Sequence, residues 1–256
     1  MPGRVTTVTL HPLLAFKPDT YIQESTYSQC ALEWDVRLPP HTARIVPTPA
    51  AVVASSRAPP PPAYNTPAPS KSSAPLPRSI TPAELAQSAT TPPVRSLNLT
   101  CGILPPEWRI RATTSSSSSL TPNAPNATPS QSPYVTVADV LAAIHTLLAQ
   151  RVSHAEWERL APKESDRVAR TFHARWRCAD GGDEGQSREY YGGVRRVDWV
   201  LHATAFAGLT CVPAVAASDG DGASGGEAGR RRKGEVEVVI TLRREKSRKG
   251  EKKGTK

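Results

Sequence analysis

The sequence has no long apolar run: nothing in it approaches the roughly 18 consecutive apolar residues that a membrane-spanning helix needs. Residues 1–21 show no apolar segment followed by a small-residue cleavage site, which argues against secretion. Cysteine is scarce, and Cys30, Cys101, Cys178 and Cys211 stand singly and far apart. That spacing fits neither a zinc ribbon nor a compact disulfide framework. We therefore expect free thiols in a reducing compartment, which means an intracellular protein of the cytoplasm or nucleus.

Motifs that carry enzyme chemistry are missing as well. The segment SHAEWERL (153–160) offers only His154 to a metal, whereas a zinc helix of the H-E-x-x-H type needs two histidines. No G-x-S-x-G occurs, and no cysteine has an evident histidine partner. We expect a protein without enzymatic activity, metal or cofactor, although a catalytic site assembled from distant residues stays open.

The net charge of +9 is concentrated at one end of the chain. Residues 230–256 hold twelve Lys or Arg against four Asp or Glu, so they carry +8 and the remainder of the chain carries +1. The clusters in this segment are candidate contacts for nucleic acid or for nuclear import: Arg230, Arg231, Arg232, Lys233, Arg248, Lys249, Lys252 and Lys253. They fit a solvated, solubilising end equally well. No aromatic residue is interleaved with the final charges, so any nucleic-acid binding would be independent of base sequence.

Proline is abundant, with 26 residues, and with Ser, Thr, Ala and Gly it marks three low-complexity stretches. Such stretches bury too little apolar area to offset the entropy lost on ordering. We predict disordered insertions at 47–93, 114–133 and 216–233 within a single domain that spans 8–244. Residues 245–256 are predicted to form a disordered basic tail. The segments that remain for folding come to roughly 140 residues, an ordinary size for one domain.

Helical periodicity dominates residues 134–177. A helix over 134–151 is predicted by the capping box that begins at Thr136 and by the apolar stripe of Val140, Leu141, Ile144, Leu147 and Leu148. Ser153, with a glutamate three residues on, predicts a second, short helix, and Pro162 predicts the start of a third. The apolar face of the third helix recurs every four residues, at Val168, Phe172 and Trp176.

Strand alternation appears on both sides of these helices. Residues 94–113 predict two strands around a Pro-Pro turn, and residues 235–242 predict a last one. Residues 178–193 are rich in glycine and predict a turn-rich connection. The order of strands, helices and strands predicts an α+β fold: an antiparallel sheet with helices packed on one face, interrupted by long disordered insertions.

The stretch GGVRRVDWVLHATAFAGLT (192–210) is the main candidate site. As a strand, a turn and a second strand or extended segment, it would direct Val197, Trp199 and Leu201 to one face and the alternate residues to the other, so most of it is expected inside the fold. Two arginines before a strand can still grip a carboxylate or phosphate. Gly192-Gly193 precedes no predicted helix, so a phosphate-binding loop is not expected. The candidate contacts for an anion or a partner are Arg195, Arg196, Asp198 and His202.

Several segments together resemble a known family. They occur in the order LHPLLA (10–15), EWDVRLPP (33–40), LPPEWRIRA (104–112), VTVADVLAAIHTLL (135–148), EWERL (156–160) and GVRRVDWVLHATAFAGL (193–209). As a set they resemble DUF6699, a domain of unknown function common in basidiomycete fungi. The resemblance implies a compact α+β domain in fungal intracellular proteins, and it brings no activity, catalytic residue or ligand. The Pro-rich insertion and the basic C-terminal extension depart from the family's usual pattern.

These observations favour a non-enzymatic protein-interaction or scaffold module. The alternative is a nuclear protein that associates with nucleic acid nonspecifically through its basic C-terminal tail. The sequence leaves the partner and the oligomeric state open.

Overall fold

The computed structural model describes residues 7–17, 30–46, 76–114, 133–212 and 236–244. Within them lie six α-helices: α1 (Pro82–Leu85), α2 (Val137–Ala149), α3 (His154–Glu158), α4 (Pro162–Arg177), α5 (Gly182–Gly192) and α6 (Arg196–Trp199). The strands are β1 (Thr9–Leu10), β2 (Leu32–Glu33), β3 (Arg44–Ile45), β4 (Arg78–Ser79), β5 (Thr90–Thr91), β6 (Ser96–Thr100), β7 (Ile110–Thr113), β8 (Ala205–Cys211) and β9 (Val236–Arg243). No helix of these residues is long and apolar enough to cross a bilayer.

The main sheet has four strands in the order β7-β6-β9-β8. Its two outer pairs, β6 with β7 and β8 with β9, are antiparallel, whereas the central pair β6 and β9 runs parallel. Two smaller antiparallel sheets are formed by β1 with β5 and by β2, β3 and β4. Helices α2 to α6 follow one another along the chain between β7 and β8, so helices and strands are segregated. The predicted α+β class is confirmed.

One face of the main sheet and one stripe of α2 form the core. In the sheet, Leu97 and Leu99 of β6 lie in register with Ala112 and Ile110 of β7, and all four side chains are buried. Helix α2 adds the buried side chains Val137, Val140, Leu141, Ile144 and Leu148 to the same cluster. The predicted stripe is therefore the inward face of α2, with Leu147 at its partly buried margin.

The N-terminal segments cover the outer edge of β8. The Phe16 amide donates to the Leu209 carbonyl at 2.8 Å, and the Phe206 amide donates to the Trp34 carbonyl at 2.8 Å. Between them Gly208 has φ +127°, and a Cβ added there would lie 2.7 Å from Phe16 Cα. The close approach of these two backbones therefore requires glycine at this position.

Residues 76–93 correct the predicted first insertion. This part of the 47–93 stretch forms β4, α1 and β5, and Ile80 and Ala89 are buried in the core. Its order comes from a capping box in which the Glu84 amide donates to the Thr81 hydroxyl, with Pro82 in the first turn. The high proline content of residues 47–93 led to a prediction of disorder, although Thr81 begins a capping box of the same kind as those predicted at Thr136 and Ser153. The rest of that insertion, and nearly all of the other two, lies outside the described residues.

Helix α5 occupies the glycine-rich stretch that was predicted to be a turn-rich connection, so that prediction is wrong. A left-handed Gly181, with φ +96°, precedes the helix. Gly185 packs directly on the backbone of the preceding turn, where an added Cβ would lie only 1.9 Å from the Asp180 carbonyl oxygen. These glycines permit a tight reversal from α4 into α5, which brings the two helices into contact.

Candidate functional site

The candidate stretch 192–210 folds as a short helix, α6, followed by β8, and not as two strands. The Arg195 amide donates to the Asp198 carboxylate at 2.9 Å, which caps the helix N-terminus. Val197 and Val200 are buried at helical spacing, and Trp199 is partly buried against the core. The expectation that no helix follows Gly192-Gly193 is also wrong. The strand pattern misled because alternation over so few residues does not exclude a single helical turn.

Asp198 is the most buried charged residue of the site, with 1% of its surface exposed. Its carboxylate accepts hydrogen bonds from Arg175 Nε at 2.8 Å and from Arg175 Nη2 at 3.0 Å. Arg175 also pairs with Glu189 and donates to the Gly193 carbonyl at 3.0 Å. Through this arginine, α4, α5 and the start of α6 are held in one charge network.

The two arginines predicted to act together point to different partners. Arg195 donates to Glu189 at 3.1 Å and so joins the network of Asp198. Arg196 donates to Glu156 at 2.9 Å, and its guanidinium lies 4.6 Å from the centre of the Trp108 ring. The structure therefore brings Arg195, Asp198 and His202 to one cavity and leaves Arg196 out of it.

Arg196, at the start of α6, connects this helix to α3 through Glu156 and to the turn before β7 through Trp108. Burial tends to raise the pKa of Glu156, but hydrogen bonds from the amide and hydroxyl of Ser153, from Arg196 and from Trp108 lower it to about 2. Glu156 is therefore ionised throughout the physiological range. The guanidinium of Arg196 and the carboxylate of Glu156 form an ion pair with each other, and we therefore assign Arg196 a role in stabilising the fold.

The cavity has a volume of about 950 Å³ and lies between α4, α5, α6 and the turn at Arg37-Leu38. Its lining is strongly basic, with seven arginines: Arg37, Arg167, Arg170, Arg175, Arg188, Arg195 and Arg244. The lining carboxylates are Asp180, Glu189 and Asp198. Arg37 is paired with Asp35 and Arg188 with Glu184, which do not line the cavity, so seven guanidinium groups stand against five carboxylates and an excess of positive charge remains.

Four of the seven arginines form two pairs with different surroundings. Arg175 and Arg195 are held by Asp198 and Glu189 and form the base of the site. Arg167 and Arg170 are exposed on α4, and among the described residues neither has a carboxylate within ion-pair distance. Arg170 donates to the Asp166 carbonyl at 3.2 Å, an intrahelical contact that neutralises no charge. The rim of the cavity therefore offers guanidinium groups to an external anion.

Sequence reasoning missed Arg175 and Glu189, on which Asp198 depends. Arg175 was not predicted as a site residue, yet it follows buried Phe172 by three residues and so lies near the buried face of α4. That spacing was the available signal. Glu189 had no signal, because α5 itself was not predicted.

Several sequence candidates lie outside the part of the chain in which this site is described. The basic residues of the C-terminal segment (Arg230, Arg231, Arg232, Lys233, Arg248, Lys249, Lys252 and Lys253) lie outside the described residues. In the part of the chain that the structure describes, no group of three or more His, Cys, Asp or Glu could hold a metal ion. Cys178 is an exposed free thiol at the cavity wall.

Comparison with known proteins gives one match. Residues 32–222 match the family described as "Family of unknown function (DUF6699)". This range includes α1 to α6 and ends beyond β8, so the whole cavity lies within it except Arg244, which follows β9. No curated protein and no solved structure matches the chain.

Proposed function

The chain belongs to the DUF6699 family, and we propose that its domain is a non-catalytic protein-interaction module that binds an acidic segment of a partner protein in the arginine-lined cavity. The observation that carries the proposal is the excess of guanidinium groups on a concave surface. Arginine forms paired hydrogen bonds with carboxylates, and a concave surface of one charge sign concentrates the field that attracts the opposite sign.

The state of the buried carboxylate supports binding over catalysis. A general base needs a carboxylate oxygen that is available to accept a proton from substrate. Both oxygens of Asp198 already accept hydrogen bonds from Arg175, and one also accepts from the Arg195 amide. The rim residues Arg167 and Arg170 carry guanidinium ions, which donate hydrogen bonds but do not exchange protons near neutral pH.

The size of the cavity supports a protein ligand. Its volume of about 950 Å³ is at the upper end of the range for ligand pockets, which suits a short chain segment with its side chains. The alternative function, nonspecific association with nucleic acid, depends on the C-terminal segment beyond the described residues and stays a prediction. We also propose an intracellular location, as the family resemblance implies for a fungal protein, and the four free cysteines support it.

The experiment compares two charge-reversed proteins with equal net charge. In the cavity variant, Arg167→Glu and Arg170→Glu change the rim. In the control variant, Arg44→Glu and Arg95→Glu change exposed residues that do not line the cavity. We expect proteins captured from a cell lysate by the wild type and by the control to be lost from the cavity variant, because reversal replaces attraction by repulsion.

Nuclease treatment separates the two functions. We expect the captured proteins to survive nuclease digestion of the lysate and to contain acidic segments, both of which follow from direct binding to the cavity. Capture that nuclease abolishes would favour the nucleic-acid alternative. Capture that is equal for all three proteins would show that the cavity is not the binding site.

A further inference from the structure

One cavity residue has a backbone conformation that its side chain disfavours. Leu201 follows the end of α6 with φ +56°, in the left-handed region. Glycine or asparagine usually occupies this position at a helix end, because other side chains collide there with their own backbone. This chain has leucine at position 201, although glycine would relieve the strain. The side chain that causes the strain lines the arginine cavity and is only partly buried.

A second leucine of the same cavity, Leu38, is held in place by hydrogen bonds to its backbone. Leu38 is 48% exposed, although its backbone is fixed at both polar groups. Its amide donates to the Asp35 carbonyl at 2.9 Å, and its carbonyl accepts a hydrogen bond from Trp34 Nε1 at 3.0 Å. The cavity thus presents an exposed leucine whose position is fixed and a strained leucine beside its arginines.

An acidic ligand alone would leave these leucines in water. Interfaces between proteins combine a buried, more apolar centre with a polar rim, and the residues that contribute most of the binding energy cluster near that centre. Ala174 and Val197 also line the cavity and extend its apolar part. The arginines of α4 and α5 line the same cavity. This combination matches a ligand that carries an apolar group together with acidic groups.

We propose that the cavity binds a peptide segment in which a leucine-like apolar residue is flanked by carboxylates. The apolar residue contacts Leu38 and Leu201, and the flanking carboxylates pair with the rim arginines Arg167 and Arg170. This inference rests on the proposed function and specifies the chemistry of the partner. Inorganic phosphate or a uniformly acidic chain satisfies only the arginines.

Three matched peptides test the inference on the full chain. The first contains Glu-Glu-Leu-Glu-Glu, the second has serine in place of the leucine, and the third has glutamine in place of each glutamate. Binding is measured by fluorescence anisotropy of the labelled peptides. We expect the first to bind at least about tenfold more tightly than the second, because one buried leucine side chain contributes that much or more. The third should not bind measurably.

Two protein variants locate the apolar contact. Leu201→Gly should weaken binding of the leucine peptide about tenfold without changing binding of the serine peptide, and it should raise the thermal midpoint because it relieves the strained φ. Leu38→Ser should weaken the leucine peptide in the same selective way. The control is Leu76→Ser, an 85% exposed leucine that does not line the cavity, which should change neither affinity.

The outcomes distinguish the two proposals. Equal binding of the leucine and serine peptides would overturn the apolar subsite and leave the acidic site intact. Failure of every acidic peptide to bind would overturn the proposed function itself. If Leu201→Gly lowers the thermal midpoint, the strain argument is wrong. Leu38→Ser then tests the apolar subsite alone, and an unchanged affinity of this variant for the leucine peptide would reject the subsite.

Discussion

Asp198 links three helices through one buried charge. Its carboxylate, on α6, accepts hydrogen bonds from the amide of the N-cap residue Arg195 and from Arg175 of α4, which also pairs with Glu189 of α5. Only 14% of the Arg175 side chain is exposed, so this guanidinium depends on its carboxylate partners for compensation of its charge. Removing one partner of a buried pair is more damaging than removing both, because it leaves an uncompensated charge.

We expect Asp198→Ala to lower the free energy of unfolding by about 3–5 kcal/mol, the usual cost of breaking a buried ion pair. His202→Ala is the matched control, since His202 is an exposed cavity residue, and it should change stability by less than about 0.5 kcal/mol. Urea unfolding followed by tryptophan fluorescence measures both. A loss for Asp198→Ala no larger than that of the control would mean that this pair does not hold the helices together.

Asp198 also shows what residue-level reasoning can and cannot obtain from the sequence. Asp198 was predicted as a candidate contact together with Arg195, Arg196 and His202. Its partners were not predicted, because Arg175 lies 23 residues before it and Glu189 sits on a helix that was not expected. Arg195 and Arg196 are adjacent in sequence, yet the helical turn directs them to Glu189 and to Glu156.

The packing of the N-terminal segment against the edge of β8 requires a residue without a side chain at position 208. The segment around Phe16 runs against Gly208 so closely that an added Cβ would lie 2.7 Å from Phe16 Cα and 2.8 Å from Phe16 N. Both contacts are to backbone or near-backbone atoms, which cannot move away as the end of a flexible side chain can. In addition, φ at Gly208 is +127°, a value that residues with a side chain rarely adopt.

We expect Gly208→Ala to destabilise the protein by at least about 1–3 kcal/mol, since it combines overpacking with backbone strain. Gly102→Ala is the control, because no atom lies within 4 Å of a Cβ added at Gly102. It should leave the thermal midpoint nearly unchanged. Equal midpoints for the two variants would show that the N-terminal segment does not pack against β8 as described.

Elements with strong local signals were predictable. The helix at 134–151 was predicted close to its observed range because a capping box and an apolar stripe agree there. Residues 82–85 carry an equally good capping box, but proline content outweighed it. Helix α5 contains glycines that tertiary packing requires, and composition alone reads them as turns. Local patterns therefore predicted α2 to α4, whereas α5 was missed because its glycines are required by packing contacts that the sequence does not show.

At the scale of the whole molecule, positive charge occurs in two places with different physical character. Four of the seven cavity arginines, Arg167, Arg170, Arg175 and Arg188, lie on helices, so the proposed acidic ligand would meet them in a fixed geometry. The basic segment 230–256 carries +8, and its residues beyond 244 lie outside the described part of the chain. The first arrangement favours a shaped acidic ligand, whereas charge without aromatic residues favours any polyanion.

Truncation after Arg244 removes the tail 245–256, which carries +4 of the +8, and it retains β9, which ends at Arg243, and every cavity residue. We expect the truncated protein to keep its thermal midpoint and its affinity for the Glu-Glu-Leu-Glu-Glu peptide. Binding to mixed-sequence duplex DNA should behave differently. If roughly five tail charges meet phosphates, the slope of log affinity against log salt is about −4 to −5 for the full chain, and it should shrink on truncation.

Anisotropy titrations of both ligands at several salt concentrations test this expectation, and a chain cut before β9 serves as the control for loss of fold. That shorter chain should unfold, because β9 is a central strand of the main sheet. If truncation after Arg244 abolished peptide binding, the tail and not the cavity would hold the acidic ligand. If the DNA slopes of the full and truncated chains were equal, the tail would have no role in binding nucleic acid, and the cavity would remain as the site through which this domain acts.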